Sequence, residues 1–559
     1  MSIHLSPTTV ALYGVVSYIV YVAVSILYRS FDAPLHYIPG PKPSSWLYGN
    51  IPDLVFTENY GDHEFRWQKT FGRTYKLKGC MGEDKLFTSD PVALKYIFKN
   101  NHIFTRGHYH QHLVWMLMGE WSLFRISHDV HRRIRAIANS AFSQTRLQGV
   151  FPIVRSISRK FTDKLDEKLD STPSQDSVID VYHLIQHATS DVVAEAMMGY
   201  HFNAVETDGG DEVSRIHQNI ILISSSKTNT ALLADSLFGF IPRLLLRASV
   251  NLPTATFAVL RRYRSVMSEW SGMLYKQKLD NLRLGLDKDV DLLSAFVEDN
   301  EAVQKDAKIS PEEIKHQITS MLVAGQDTTG NTITFALLEF ARHPEWQDKV
   351  RQEILQMEGD LSYSNLDKLV YLNAHIKETL RYHPALPNTE RLAVEDTVLP
   401  LSTPVKTKDR SMITEIPVRK GQLVYGGLAS YNRFVILIPH WYRDTNSTLA
   451  IRDPEIWGAD AHTFDAYRWI DDRMNHVKET GTSFGPYANV SSFIGGPHVC
   501  LGWRLAISEM QVMLADLLSR FAFEAVEGVV VRPSVAVTMQ PVSEKGLPHL
   551  PLRVKRLEH

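Results

Sequence analysis

A mainly α-helical protein with small β-sheets, preceded by a single membrane-spanning helix, is what this sequence predicts. Three observations carry that expectation. From about residue 130 to 385 the chain is helical in pattern and poor in proline and glycine. Short strand-like runs bracket that stretch: Thr74-Tyr-Lys-Leu-Lys and Lys85-Leu-Phe-Thr around Cys80-Met-Gly-Glu, and again Phe521 to Leu557. Thr8 to Tyr28 runs for 21 residues without a charge, close to the length that crosses a bilayer core as a helix.

The apolar run ends at Tyr28-Arg29, an interfacial aromatic followed by a positive charge. It has no basic region before it and no small-x-small site after it, so an uncleaved anchor over residues 1–29 is expected rather than a signal peptide. Arg29 and Lys42 place the following chain on the cytosolic side. Residues 30–45 hold Ile38-Pro39-Gly40-Pro41-Lys42-Pro43, a stiff extended connector. Residues 46–559 then read as one large domain, with no repeat, no low-complexity tract and no convincing internal boundary.

Of 559 residues 44% are hydrophobic, enough for a large core. A net charge of −2 gives no electrostatic footprint for nucleic acid. Cys80 and Cys500 are the two cysteines, too few for a disulfide framework, which fits a cytosolic catalytic part.

The chemistry concentrates at Phe493-Ile-Gly-Gly-Pro-His-Val-Cys500-Leu-Gly502. A thiol in a glycine-rich loop at a helix start is where backbone N–H groups and the helix dipole stabilise a thiolate. Such a thiolate is a nucleophile or a metal ligand, against the plainer alternative of a buried structural cysteine. A second feature lies in the helix opened by Ser310-Pro311-Glu312-Glu313, where Ser310 is the N-cap and Glu313 completes a capping box. The helix should reach about Arg342 before Pro344, nearly 50 Å at about 1.5 Å per residue. Its middle, Ala324-Gly325-Gln326-Asp327-Thr328-Thr329-Gly330, weakens a helix where it should be most buried. Threonine hydroxyls can bond carbonyls one turn back. Close packing by small residues is the plainer reading.

The order Phe-x-x-Gly-x-His-x-Cys-x-Gly resembles the haem-ligand loop of the cytochrome P450 family, with His498 where the family usually has Arg. Ala324 to Thr329 resembles the family's oxygen-activation motif without departure. The proline-rich connector resembles the hinge of its microsomal members. The resemblance runs from about Pro39 to the end, with five motifs in order. It implies the cytochrome P450 fold, with Cys500 as the thiolate ligand of haem iron. Phe493, Gly496 and Gly502 would shape the cofactor loop. Asp327 and Thr328 would supply the protons that O–O cleavage needs.

The same resemblance reads the remaining motifs. Glu378-Thr-Leu-Arg381 sets opposite charges three apart on a helix, commonly no more than a surface pair. Phe464-Asp-Ala-Tyr-Arg468-Trp resembles the family's segment that joins that pair, with Ala466 in place of proline. Glu378, Arg381 and Arg468 would form a structural network. His131 and Arg135, in the basic run His131-Arg-Arg-Ile-Arg135, match the helix that binds haem propionates; otherwise the run is a solvated basic face. Arg391 matches a second propionate position, and His498 replaces a third as a weaker anion partner.

The expected activity is insertion of one oxygen atom of O2 into a lipophilic substrate, such as a terpenoid of fungal secondary metabolism. Electrons would come from an NADPH-cytochrome P450 reductase, with cytochrome b5 as a further partner. The expected location is the endoplasmic reticulum membrane, single-pass, with the catalytic domain cytosolic. The variable regions 104–125, 221–253 and 384–389 would surround the substrate. Two rival readings stand: a haem-thiolate isomerase or dehydratase needing no reductase, and an inactive pseudoenzyme. The second follows from Phe434 to Ile451, which interrupts Asn432-Arg433 and Arg452-Asp-Pro-Glu-Ile-Trp-Gly. Removing 434–451 and merging the two arginines restores a family-like run, so that segment reads as a translated, unspliced intron, against the plainer alternative of a real surface loop.

Overall fold

The computed structural model describes residues 7–31, 34–171, 177–225, 228–286, 290–433, 457–458, 460–471, 474, 484–543 and 546–557. The suspected insertion at 434–451 lies outside the described residues. The described chain is helix-rich with small sheets, and its centre is the helix Pro311–Arg342. Ser310 accepts from the Glu313 N–H and Glu313 accepts from the Ser310 N–H, so the predicted capping box is formed. The helix ends at Arg342, before Pro344.

The middle of this helix is uninterrupted. Its glycines answer to packing. A Cβ on Gly325 would lie 2.6 Å from Val193, and one on Gly330 would lie 2.8 Å from Gln186. Both contacts come from the neighbouring segment, Val181–Val192 and the π-helical turn Val193–Met197. The small residues therefore let two helices approach closely. The threonines do bond one turn back: Thr328 to Ala324 O at 2.8 Å and Thr332 to Thr328 O at 2.8 Å.

The predicted hairpin forms, pairing Thr74 with Thr88 antiparallel. It is the edge of a five-stranded sheet in the order Thr74–Lys78, Asp84–Thr88, Leu423–Gly427, Asn388–Ala393, Phe104–Thr105. Strands Thr397–Lys406 and Met412–Val418 pair separately. These four strands between 388 and 427 lie outside the strand-like runs found in the sequence. Prolines at 400, 404 and 417 break the run, while long-range pairing supplies the order that local pattern lacks. The C-terminal stretch forms strands as expected, including Phe521–Ala525 and Pro551–Arg556.

Pro7–Phe31 is helical over the apolar N-terminal run, and Tyr13, Ile19, Tyr21 and Tyr28 are exposed. Among the described residues no helix is long and apolar enough to cross a membrane. Arg29 reaches the globule, its guanidinium 4.5 Å from the Phe240 ring centre and 3.9 Å from Glu83.

Candidate active site

Two residues separate Cys500 from the helix Trp503–Arg520. Its N–H donates to Phe493 O at 2.9 Å, which closes the loop on itself. Phe493 is buried beneath, with its ring near those of Tyr487 and Trp503. Gly496 has φ +69°, and a Cβ there would lie 2.4 Å from Phe98 O, so the loop can pass that backbone only with glycine. Ile494 also has a positive φ, +57° with ψ −176°, a region costly for a β-branched residue.

Cys500 lines a cleft of about 1210 Å³ together with His131, Arg135, Phe142, Gly496 and Arg504. It keeps accessible surface because it faces that cleft. Burial still pushes its thiol pKa up, against the Gly502 N–H and the Arg135 charge, which pull it down. Metal coordination reverses such a balance by deprotonating the thiol outright.

The basic residues sort themselves by position. Arg132 is exposed and pairs with Asp129 at 2.9 Å, while Arg133 binds Glu313 on the central helix. His131 and Arg135 line the cleft. The His131 ring lies 4.0 Å from that of His498, centre to centre. Burial, then the Arg135 charge, lowers His131 to about 4. Burial, then His131 and the arginines 106, 391 and 135, lowers His498 to about 2. A charged imidazole is thus strongly disfavoured at 498.

Arg391 is 4% exposed and its guanidinium lies 5.2 Å from the Phe98 ring centre. It donates to the Thr389 hydroxyl, and so does Arg106, at 3.0 Å. Two guanidiniums therefore converge on one hydroxyl. Burial, then the Arg106 charge, holds Arg391 well below the ordinary guanidinium range, and burial alone brings Arg106 to about 10. The Glu390 charge offsets part of this for Arg391, and a buried pair of like charges favours a further anion. The acidic edge of haem meets that need, and the open thiol at Cys500 meets the need of its iron, so the residues present fit the group. Arg106 was missed in the sequence, where it stands in an aromatic and histidine-rich run that reads as variable loop.

Glu378, Arg381 and Arg468 meet in one cluster, all at most 1% exposed. Arg381 holds Glu378 with two bonds, Nε at 2.8 Å and Nη2 at 2.6 Å. Arg468 Nε lies 3.7 Å from Glu378 Oε1. The Trp469 indole donates to Glu378 Oε2 at 3.0 Å, and Asp465 N–H donates to Oε1 at 2.8 Å. Arg381 and Arg468 hold Glu378 below the usual carboxylate range against the cost of burial. The cluster reaches the Cys500 loop through a residue not singled out in the sequence. Arg381 donates to Asn432 O at 2.9 Å, and Asn432 Oδ1 accepts from the Ser491 N–H at 3.0 Å and hydroxyl at 2.9 Å. Ser491 begins the turn that ends at Phe493.

Asp327 and Thr328 form the remaining feature, inside the central helix. Asp327 is 6% exposed, and burial alone raises its carboxyl to about 7. It therefore holds a proton up to near-neutral pH. Thr328 donates its own proton to Ala324 O, which leaves its oxygen free to accept one.

This thiol loop on a helix-rich scaffold, with His131 and Arg135 lining the cleft it faces, has the make-up of a haem-thiolate protein. A family model described as cytochrome P450 matches residues 39–410 and 445–546. Among similar curated proteins, cytochrome P450 monooxygenase 91 of Postia placenta is 28% identical over 97% of this chain and 98% of its own. A ganoderic acid synthetase of Ganoderma lucidum is 28% identical over 94% of each chain. A cytochrome P450 monooxygenase of Ampulloclitocybe clavipes is 26% identical over 93% of each. The chain belongs to the cytochrome P450 family. With the family come a haem cofactor on a cysteine thiolate, electrons from a reductase, and a monooxygenase reaction using O2.

Proposed function

We propose that this chain is a membrane-anchored monooxygenase of a lipophilic substrate, with Cys500 as the haem ligand. The observation that carries the reading is the Cys500 loop facing a cleft that His131 and Arg135 also line. Haem bound through a thiolate supplies the chemistry that inserts one oxygen atom into a C–H or C=C bond. The protein's own residues do the rest. The Gly502 N–H and Arg135 favour the charged form of Cys500. Arg106, Arg391, His131, Arg135 and His498 would surround the haem acids. Phe493, Gly496 and Gly502 would hold the loop's shape, with Glu378, Arg381 and Arg468 bracing it through Asn432.

Asp327 holds a proton on its carboxyl below about pH 7 and releases it above, and the Thr328 oxygen can receive and pass one. Burial keeps bulk water from Asp327, so protons arrive singly. Residues 1–29 would anchor the chain in the endoplasmic reticulum with the catalytic part cytosolic, followed by the 30–45 hinge and the domain 46–559. The cleft beside Cys500, edged by Arg132 and Arg504, offers a basic surface to an acidic NADPH-cytochrome P450 reductase, or to cytochrome b5. A terpenoid is the proposed substrate class, from the similarity to the ganoderic acid synthetase.

Co-expression with a fungal reductase and triterpene feeding tests the reading. NADPH-dependent O2 consumption with a product heavier by one oxygen atom is expected. Conversion of substrate without NADPH or O2 would establish the isomerase instead.

A further inference from the structure

A second cleft, of about 730 Å³, opens between the N-terminal helix Pro7–Phe31 and the rest of the chain. Its other walls are the helix His108–Met118, the turn Phe238–Phe240 and the helix Arg243–Ser249. The Tyr18 hydroxyl donates to Phe240 O and the Arg29 guanidinium lies over the Phe240 ring, so the two sides are joined.

The charge of this cleft is one-sided. Arg29, Arg125, Arg243 and Arg247 line it, and no described carboxylate does. Arg264 adds a fifth guanidinium, 4.6 Å from the ring centre of Trp115, which also lines the cleft. Two carboxylates offset this set in part. Glu120 pairs with Arg125 at 2.8 Å and with Arg247 at 2.5 Å, and Glu83 is 3.9 Å from Arg29. No described acidic residue pairs with Arg243. The excess of cations leaves a local positive potential that attracts an anion from outside.

The walls show which medium that anion comes from. In the helix Arg243–Ser249, Arg243, Leu246 and Arg247 are three and four apart and share the face that lines the cleft. Leu244 and Leu245, between them, are 78% and 57% exposed. The N-terminal helix repeats the arrangement: Tyr21, Ser25 and Tyr28 line the cleft, while Ile19 and Val20 are exposed beside them. Apolar outer faces on both walls of a basic cleft suit the boundary of a bilayer, where leucines enter the acyl region and arginines stay at the head groups.

We propose that this cleft holds the head group of an acidic phospholipid, with its anionic oxygens on Arg29, Arg243 and Arg247 and its glycerol against the tyrosine rings. This rests on the reading of residues 1–29 as a membrane anchor. A choline head brings a cation of its own to the arginines and is neutral in sum, so the cleft selects against it.

The experiment is thermal unfolding of haem-loaded, full-length protein in detergent, titrated with dihexanoyl-phosphatidylserine, dihexanoyl-phosphatidylcholine or glycerol phosphate. A ligand of the folded state raises the midpoint by mass action, which gives its apparent affinity. The serine lipid should bind about ten-fold more tightly than either of the others, the worth of one charge-assisted bond. Replacing both exposed arginines, Arg243→Gln with Arg247→Gln, should abolish the preference, and Arg243→Lys with Arg247→Lys should keep it. Equal affinity for the two lipids in wild type would overturn the proposal, as would a preference that survives the glutamine pair or is lost equally in the lysine pair. Glycerol phosphate binding as tightly as the serine lipid would assign the cleft to a soluble phosphate ester and overturn the lipid proposal. Flotation reads the anchor separately: full-length protein left behind when vesicles of either lipid float would overturn the anchor reading, whatever the titration shows.

Discussion

At the residue scale the proposed chemistry rests on Cys500 and on the proton held by Asp327. Cys500→Ser removes the thiolate while keeping the loop's size. The variant should show no red-shifted Soret band in the reduced carbon-monoxide spectrum and no NADPH-dependent product. Asp327 makes a pH-dependent prediction with a fixed sign. Its carboxyl titrates near 7 in the folded chain against an ordinary 3.8, because of burial. The folded state therefore binds more protons between those values, and stability falls as pH rises from about 4 to 7. Asp327→Asn should melt higher than wild type at pH 8, with the gap closing toward pH 4. It should also form less product per NADPH consumed. Cys500, Asp327, His131 and Arg391 could be singled out as candidates from the sequence because each sits in a motif that resembles one of the family. Arg106 could not, because the bond that groups it with Arg391 runs to Thr389, far from it in sequence.

At the element scale the Cys500 loop and the Glu378 cluster are mechanically joined through Asn432. Glu378→Gln would leave Arg381 and Arg468 buried with a neutral partner. Breaking a buried pair this way costs about 3–5 kcal/mol, so thermal unfolding of the variant should shift down by many degrees and haem content should fall. Ile494 sets two effects against each other. A β-branched residue at φ +57° stores about 1–3 kcal/mol of strain, but its side chain is buried in the core, where truncation costs about 2–5 kcal/mol. Ile494→Gly should therefore lower the unfolding temperature, by less than the same truncation at an unstrained core position. The central helix shows how far pattern reading reaches. Its capping box and its end at Arg342 were legible, because local rules decide them. The role of Gly325 and Gly330 was not, since it depends on Val193 and Gln186 across a helix interface. The strands between 388 and 427 were hidden for the same reason: their partners include Asp84–Thr88 and Phe104–Thr105, some three hundred residues earlier.

At the scale of the whole molecule, the two sides of the 434–451 segment already meet. The Trp457 indole donates to Tyr431 O at 3.0 Å, and Arg381 donates to both Asn432 O and Ala461 O. The family match breaks between residues 410 and 445, which overlaps the segment. Deleting 434–451 together with one of Arg433 and Arg452 should therefore preserve haem binding and unfolding temperature. A transcript lacking the segment should also be found on sequencing messenger RNA; a large loss of stability on deletion would contradict the insertion reading. Deleting residues 1–29 should release the chain from membranes while leaving the cofactor site intact.

The central claim is that Cys500 binds haem iron as a thiolate within this full chain. The most direct measurement is the reduced carbon-monoxide difference spectrum of membranes expressing residues 1–559. A strongly red-shifted Soret band, lost in Cys500→Ser, is the predicted result. Protein present in quantity with no such band, or with an unshifted one, would contradict it.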